Sequence, residues 1–271
     1  MRINPLVSEW INLAARWAHV FAAILWVGST YFFTWLDGRF EEAARTAEGK
    51  HGEVWMVHSG GFYVVEKQKG LERLPPALHW FRWEAATTWL TGMVLLVVVY
   101  YMGGALVDRD VWDVGAGTAA AASLAVLAAG WVVYDLLVLS PLGKNEKVFA
   151  AVAFMLVVVA SYGLTRLFSA RAAYVHLGAI FGTIMAANVW QRILPAQSRM
   201  VAALKEGHKP DEAHDARAKL RSKHNTFMAV PVVFTMISHH FTSAYGHEYN
   251  WVILSALVLA GWVAAKFIRR A

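Results

Sequence analysis

The feature that most constrains this chain is a series of runs too long and too apolar to be buried in a water-soluble domain. They cover residues 10–36, 79–106, 116–139, 147–167, 172–194, 225–241 and 249–268. A helix crossing the hydrocarbon core needs about 20 mostly apolar residues. The pattern therefore predicts an all-α integral membrane protein, a bundle of about seven transmembrane helices forming one domain over residues 1–271. The sixth run is interrupted by Pro231 and has polar ends, so its limits are the least sharply drawn. Composition agrees. Hydrophobic residues make up 58% of the chain, above the roughly 45–50% of soluble domains. The 13 tryptophans suit interfacial belts. The first apolar run is too long for a signal-peptide core and lacks a clear small-residue cleavage site, so no cleavable leader is expected.

Charge in the loops sets the expected orientation. Residues 38–78 hold Arg39, Arg45, Lys50, Lys67, Lys69 and Arg73. Residues 192–223 hold Arg192, Arg199, Lys205, Lys209, Arg217, Lys219, Arg221 and Lys223, and the C-terminus adds Lys266, Arg269 and Arg270. Lys144 and Lys147 lie in the loop at 141–147. Against these, the loop at 107–115 is acidic and that at 242–248 has neither Lys nor Arg. Basic loops stay on the cytoplasmic side. The expectation is an N-terminus outside and a C-terminus inside, in a multi-pass protein of the bacterial inner membrane, with cytoplasmic loops at 38–78 and 195–223. Arg2 and Arg16 weakly oppose it. The stretch 197–223 reads as a helical hairpin broken near Gly207 and Pro210, with Asp211 placed to cap its second half. Its charges read as a solvated face, and nothing in the pattern points to nucleic acid.

Histidine within an apolar span is costly and marks a functional candidate. His19 falls in the first run, His176 in the fifth, and His239 and His240 near the end of the sixth. On the expected topology all four lie towards the outer side. Imidazoles from facing helices can hold haem iron, so His19, His176 and His240 are candidate iron ligands and His239 an alternative. Ala22, Ala23 and Trp26 share the helix face of His19 and would make room for, and pack against, a flat macrocycle. Small residues also surround His176. The rival explanations are hydrogen bonding between helices, ordinary small-residue packing, and a zinc or copper site. With no cysteine in the chain, disulfides, iron–sulfur clusters and covalent c-type haem are excluded. The expected cofactor is haem b, one or two copies.

A second concentration of polar groups lies at the expected cytoplasmic mouth. HSGGFYVVEKQKG at 58–70 contains His58, Glu66 and Lys67, with YVVEK suited to a short strand. LHWFRWEAATTWLTG at 78–92 brings His79 and Arg82 to the start of the second run. His224 belongs to the same inner set, at the start of the sixth run. NVWQRILP on the fifth run carries Asn188, Gln191 and Arg192 on adjacent turns. A cationic, amide-rich, aromatic-lined mouth suits a planar anion. For Arg82 and Glu84, mutual pairing or snorkelling is the plainer reading.

WAHVFAAILWVGSTYFF, HSGGFYVVEKQ and LHWFRWEAATTWLTG resemble the membrane domain of the bacterial membrane-bound urate hydroxylases, the urate oxidase N-terminal domain, over nearly the whole chain. The resemblance implies purine catabolism: oxidation of urate to 5-hydroxyisourate with water as the oxygen source, and electron transfer to a cytochrome c. In that family the cytochrome is a C-terminal domain after an eighth span. This sequence stops at KFIRRA without CxxCH, so a separate cytochrome c or quinone is expected to accept the electrons. Combined with the residues, the expectation is an oxidoreductase. Arg82, Lys67 or Arg192 would hold the urate anion, and Gln191 and Asn188 would read its amide edge. His58, His79 or Glu66 would act as general base. The alternatives are a non-catalytic haem b electron-transfer subunit of a respiratory membrane complex, and a transport or metal-handling protein. A homo-oligomer or larger complex is compatible with each.

Overall fold

The structure, a computed structural model, describes residues 4–46, 53–68, 71 and 74–269. Arg2, Lys50, Lys69, Arg73 and Arg270, which entered the charge reading above, lie outside them.

Among the described residues, six helices are long and apolar enough to cross a membrane. Helix α1 runs from Pro5 to Thr46. At 1.5 Å per residue its 42 residues extend about 63 Å, twice the hydrocarbon thickness. The stretch 38–46, expected in the first loop, thus continues the helix. It contains no proline and is supported by the Arg39–Glu42 pair at 2.8 Å. A hairpin follows, β1 (Glu53–His58) antiparallel to β2 (Gly61–Glu66), pairing Trp55 with Val64 and Val57 with Phe62. Its turn uses Gly60 at φ 75°, the left-handed conformation that glycine adopts without penalty. Lys67 is ion-paired with Asp37 and ties the hairpin's base to α1.

Helix α2 (Trp83–Leu95) continues through a π-helical stretch to Met102, shorter at both ends than the expected 79–106. Helix α3 (Ala116–Leu139) stops where Ser140 turns extended ahead of Pro141. Asn145 caps α4 (Glu146–Leu167), its Oδ1 accepting from the amides of Lys147 and Val148 at 3.1 and 3.2 Å. Ser169 caps α5 (Ala170–Ala187). Such caps contribute about 1 kcal/mol each. Helix α5 is the axis of the bundle. Its apolar window is 72% buried, against 17% for those of α1 to α4. Gly178 brings it against α7, where a side chain would collide with Thr235. Small residues at such crossings let membrane helices pack closely.

A π-helical segment, Asn188–Ile193, joins α5 to α6 (Leu194–Lys205). The chain turns at Gly207, and Asp211 caps α7 (Glu212–Ile237) by accepting from the Ala213 amide at 2.8 Å. The helical hairpin expected at 197–223 is therefore present, as extensions of two core helices. The sixth expected span, 225–241, forms the second half of α7, which ends earlier, at Ile237. The polar first turns of α7 keep it outside the six apolar helices, yet it packs against α5 and α9 in the bundle. A short α8 (Thr242–Tyr245) leads into α9 (Asn250–Ile268).

Candidate functional site

The four histidines expected towards the outer side differ in burial: His176 is buried, His19 and His239 are half-buried, and His240 is exposed. His19 Nδ1 donates to the Thr88 carbonyl at 2.8 Å and lies 3.2 Å from the Thr91 hydroxyl, joining α1 to α2. His176, fully buried, donates from Nδ1 to the Ala172 carbonyl at 2.7 Å. Because a carbonyl can only accept, the tautomer is fixed, and Nε2 accepts from the Ser123 hydroxyl at 2.7 Å. Ser123 in turn accepts from Tyr101 at 2.8 Å. The chain Tyr101–Ser123–His176–Ala172 is complete in its donors and acceptors. Phe168 stacks on the imidazole at 4.5 Å. His239 donates Nδ1 to the Met236 carbonyl at 2.9 Å, and its ring lies 3.9 Å from that of His240.

Haem needs an imidazole nitrogen free to bind iron. In His19 and His239 a carbonyl holds Nδ1, which leaves Nε2 as the nitrogen that could face iron. His176 does not fit, since both nitrogens are bonded to protein. His19 is held on α2 while His239 and His240 lie against one another. Trp26 packs in the interior beside Ala85, Val189 and Leu194. Of the three expected ligands His176 therefore offers no free nitrogen to iron, and we derive no step through haem. Among the described residues, no group of three His or acidic side chains is arranged to hold a metal ion.

The opposite ends of the helices, expected on the inner side, are built differently. Asp135 on α3 accepts from two arginines. Arg221 of α7 reaches it at 2.6 Å, and Arg192 approaches through Nε at 3.0 Å and through a second, terminal nitrogen. Arg221 also donates to Asn188 Oδ1 at 3.3 Å. The Asn188 amide nitrogen donates to Asn225 at 2.8 Å and to the Tyr134 hydroxyl at 3.0 Å. Tyr134 is 2.9 Å from His224 Nδ1, and His224 stacks on Phe149 at 4.5 Å and 8°. One carboxylate between two guanidinium groups leaves this network with a net positive charge.

The network borders an open-sided cavity of about 1790 Å³ between α3 and α4, floored by α5 and flanked by α7 and α9. Helices α3 and α4 are neighbours in sequence yet scarcely touch. Gln191, Arg192, Arg221 and His224 line the cavity, together with Lys144, Lys147, Arg199, Arg217, Lys266 and Arg269. Among the described residues, Glu146 is the one acid in the lining, and it is paired with Lys223 at 2.8 Å. The arrangement can hold an anion and present it with amide and imidazole donors.

The residues expected at a single mouth divide between two faces of the 188–193 segment. Asn188, Gln191 and Arg192 belong to the cavity side. Trp190 points the other way, 6.0 Å from Trp83, and there Arg82 lies 5.4 Å over the Trp83 ring. His79 packs edge-on to Phe81 at 4.6 Å. His58 bonds the Ser59 hydroxyl at 2.7 Å in the hairpin turn. Glu66 is 3.4 Å from Gln68, and Lys67 pairs with Asp37. His58, Glu66, Lys67, His79 and Arg82 do not line the cavity. Asn188 is fully buried and holds Arg221 and Tyr134 in place rather than facing a ligand.

Sequence reasoning missed Asp135, Tyr134 and Asn225, and left Arg221 among the loop charges. For Asp135 the signal was present: it is the one charged residue in 116–139, and an ionisable group inside a span is a functional candidate. Arg221 gave no such signal, because α7 begins in a polar stretch.

Compared with known proteins, residues 5–271 match the model of a family described as urate oxidase N-terminal. No curated protein and no solved structure matches the chain.

Proposed function

The chain belongs to the urate oxidase N-terminal family, and on that premise we propose that it oxidises urate, or a purine anion of the same shape, at the polar end of the inner cavity. The reaction takes water as the oxygen source. Urate and one water give 5-hydroxyisourate, two electrons and two protons, with a new C–O bond at C5. The electrons leave to an external acceptor, either a c-type cytochrome in two one-electron steps or a quinone in one two-electron step. The setting is the bacterial inner membrane, with the cavity opening to the cytoplasm as the basic loops require.

The observation that carries this reading is the excess of fixed positive charge around the cavity. Arg192 keeps a terminal nitrogen beyond those that hold Asp135, and Gln191 makes no side-chain hydrogen bond among the described residues while lining the same wall. A guanidinium edge beside an amide matches the anionic and amide edges of urate. Asp135 and Asn188 hold the two arginines in position. Partial desolvation strengthens each of these contacts relative to water.

The test is urate consumption by the purified protein in lipid nanodiscs, without oxygen and with ferricyanide as acceptor, in water labelled with oxygen-18. The expected result is two ferricyanide reduced per urate and the label in the product. Failure to consume urate with ferricyanide and with a water-soluble quinone alike overturns the reading and favours a non-catalytic subunit.

A further inference from the structure

The cavity is larger than a purine requires. Sites for drug-sized ligands enclose about 300–1,000 Å³, and this one measures about 1790 Å³. The surplus is apolar and forms a groove between α3 and α4 that opens on the membrane-facing side, where Val133 and Leu259 are exposed. From Phe149 to Ala160 along α4 it extends about 16 Å into the bilayer, lined by Val126, Val133, Ala153, Val157, Phe181 and Leu259. The polar end and the apolar trough are one continuous space.

Where they meet stand three rings: Tyr134, Phe149 and His224. Tyr134 accepts from the Asn188 amide, so its own proton is free to go to His224 Nδ1, 2.9 Å away. That assignment, made from the network, leaves the proton of His224 on Nε2. Nε2 has no partner among the described residues, and the ring lines the cavity.

The geometry points to a lipid-soluble quinone as the electron acceptor bound in this trough, its apolar tail between α3 and α4 and its planar head beside His224. This rests on the urate reading for the source of electrons. The step balances: urate, water and quinone give 5-hydroxyisourate and quinol. Urate is oxidised by two electrons and the quinone reduced by two. Of the two protons taken up by the quinone oxygens, one comes from His224 Nε2. Tyr134 supplies His224 through Nδ1, and is itself refilled by a proton released from urate and water. The second released proton reaches the other quinone oxygen.

The test uses the intact chain in nanodiscs, with urate and a decyl-tailed benzoquinone as sole acceptor. One quinol per urate is expected, with a quinone KM that falls as the tail lengthens from methyl to decyl. Ala153→Phe narrows the trough and should raise the quinone KM at least tenfold, leaving ferricyanide turnover unchanged. Should that variant fail to fold, the tail-length series on the unmodified chain decides the matter alone. Urate oxidation by ferricyanide with no quinone reduction overturns the quinone site and leaves the urate reading intact. Saturable, tail-dependent quinone binding without urate oxidation does the reverse. Solvent extraction that recovers phospholipid and no quinone, together with tail-independent kinetics, assigns the trough to lipid and overturns the inference.

Discussion

The two ends of the bundle treat buried polarity in opposite ways. Around His176, each donor meets one acceptor, each nitrogen is occupied, and an aromatic ring closes the face. Around Asp135, two cations share one anion, amide and imidazole groups remain open, and a cavity adjoins them. A polar group in a membrane protein must be satisfied, and those of the Tyr101–Ser123–His176 chain are satisfied by the protein itself. At the inner end the account stays open by a net positive charge and several donors. The comparison teaches that the intramembrane location of a histidine identifies a constraint, while the completeness of its bonding shows whether that constraint is structural.

Breaking the inner end should cost most. Asp135→Ala leaves Arg192 and the buried Arg221 without their anion, and removing one partner of a buried pair costs about 3–5 kcal/mol. The expected result is a large fall in thermal stability in detergent; a variant as stable as the parent would mean that the arginines find solvent. Breaking the outer end should be milder. His176→Ala leaves the buried Ser123 hydroxyl without its acceptor, at about 1–3 kcal/mol. It should lower the melting temperature while urate turnover per folded molecule stays the same. Loss of turnover in a folded His176→Ala protein would give the outer end a chemical role. The smallest effect belongs to Arg82→Ala. Arg82 sits over Trp83 on the far side of the 188–193 segment, so urate affinity should change by less than about twofold, under roughly 0.4 kcal/mol. A larger loss would bring the start of α2 into the site.

Much of the fold was legible because the bilayer imposes a length and a hydropathy on each span. Asp211, Gly207 and Pro210 announced the turn between α6 and α7 by their chemistry. The overlong α1 was hidden, since residues 38–46 are polar yet helix-compatible, and charge reads as loop when it is scored by hydropathy. The site was half legible. Gln191 and Arg192 were identified from their spacing near a span end. Arg192 is held by Asp135 of α3, 57 residues away in sequence, and Arg221 of α7 shares that carboxylate; no local periodicity links such positions. His58, Glu66 and Arg82 looked equivalent to Arg192 because all lie near one side of the membrane; the structure divides them by the face of one short π-helical segment.

The most direct test of this account is equilibrium urate binding to the parent protein, Arg192→Gln and His176→Ala, measured side by side by calorimetry in nanodiscs. The account predicts a 10–100-fold weaker dissociation constant for Arg192→Gln, about 1.4–2.8 kcal/mol, and an unchanged one for His176→Ala. Unaltered binding in Arg192→Gln, or binding lost in a folded His176→Ala protein, would contradict it.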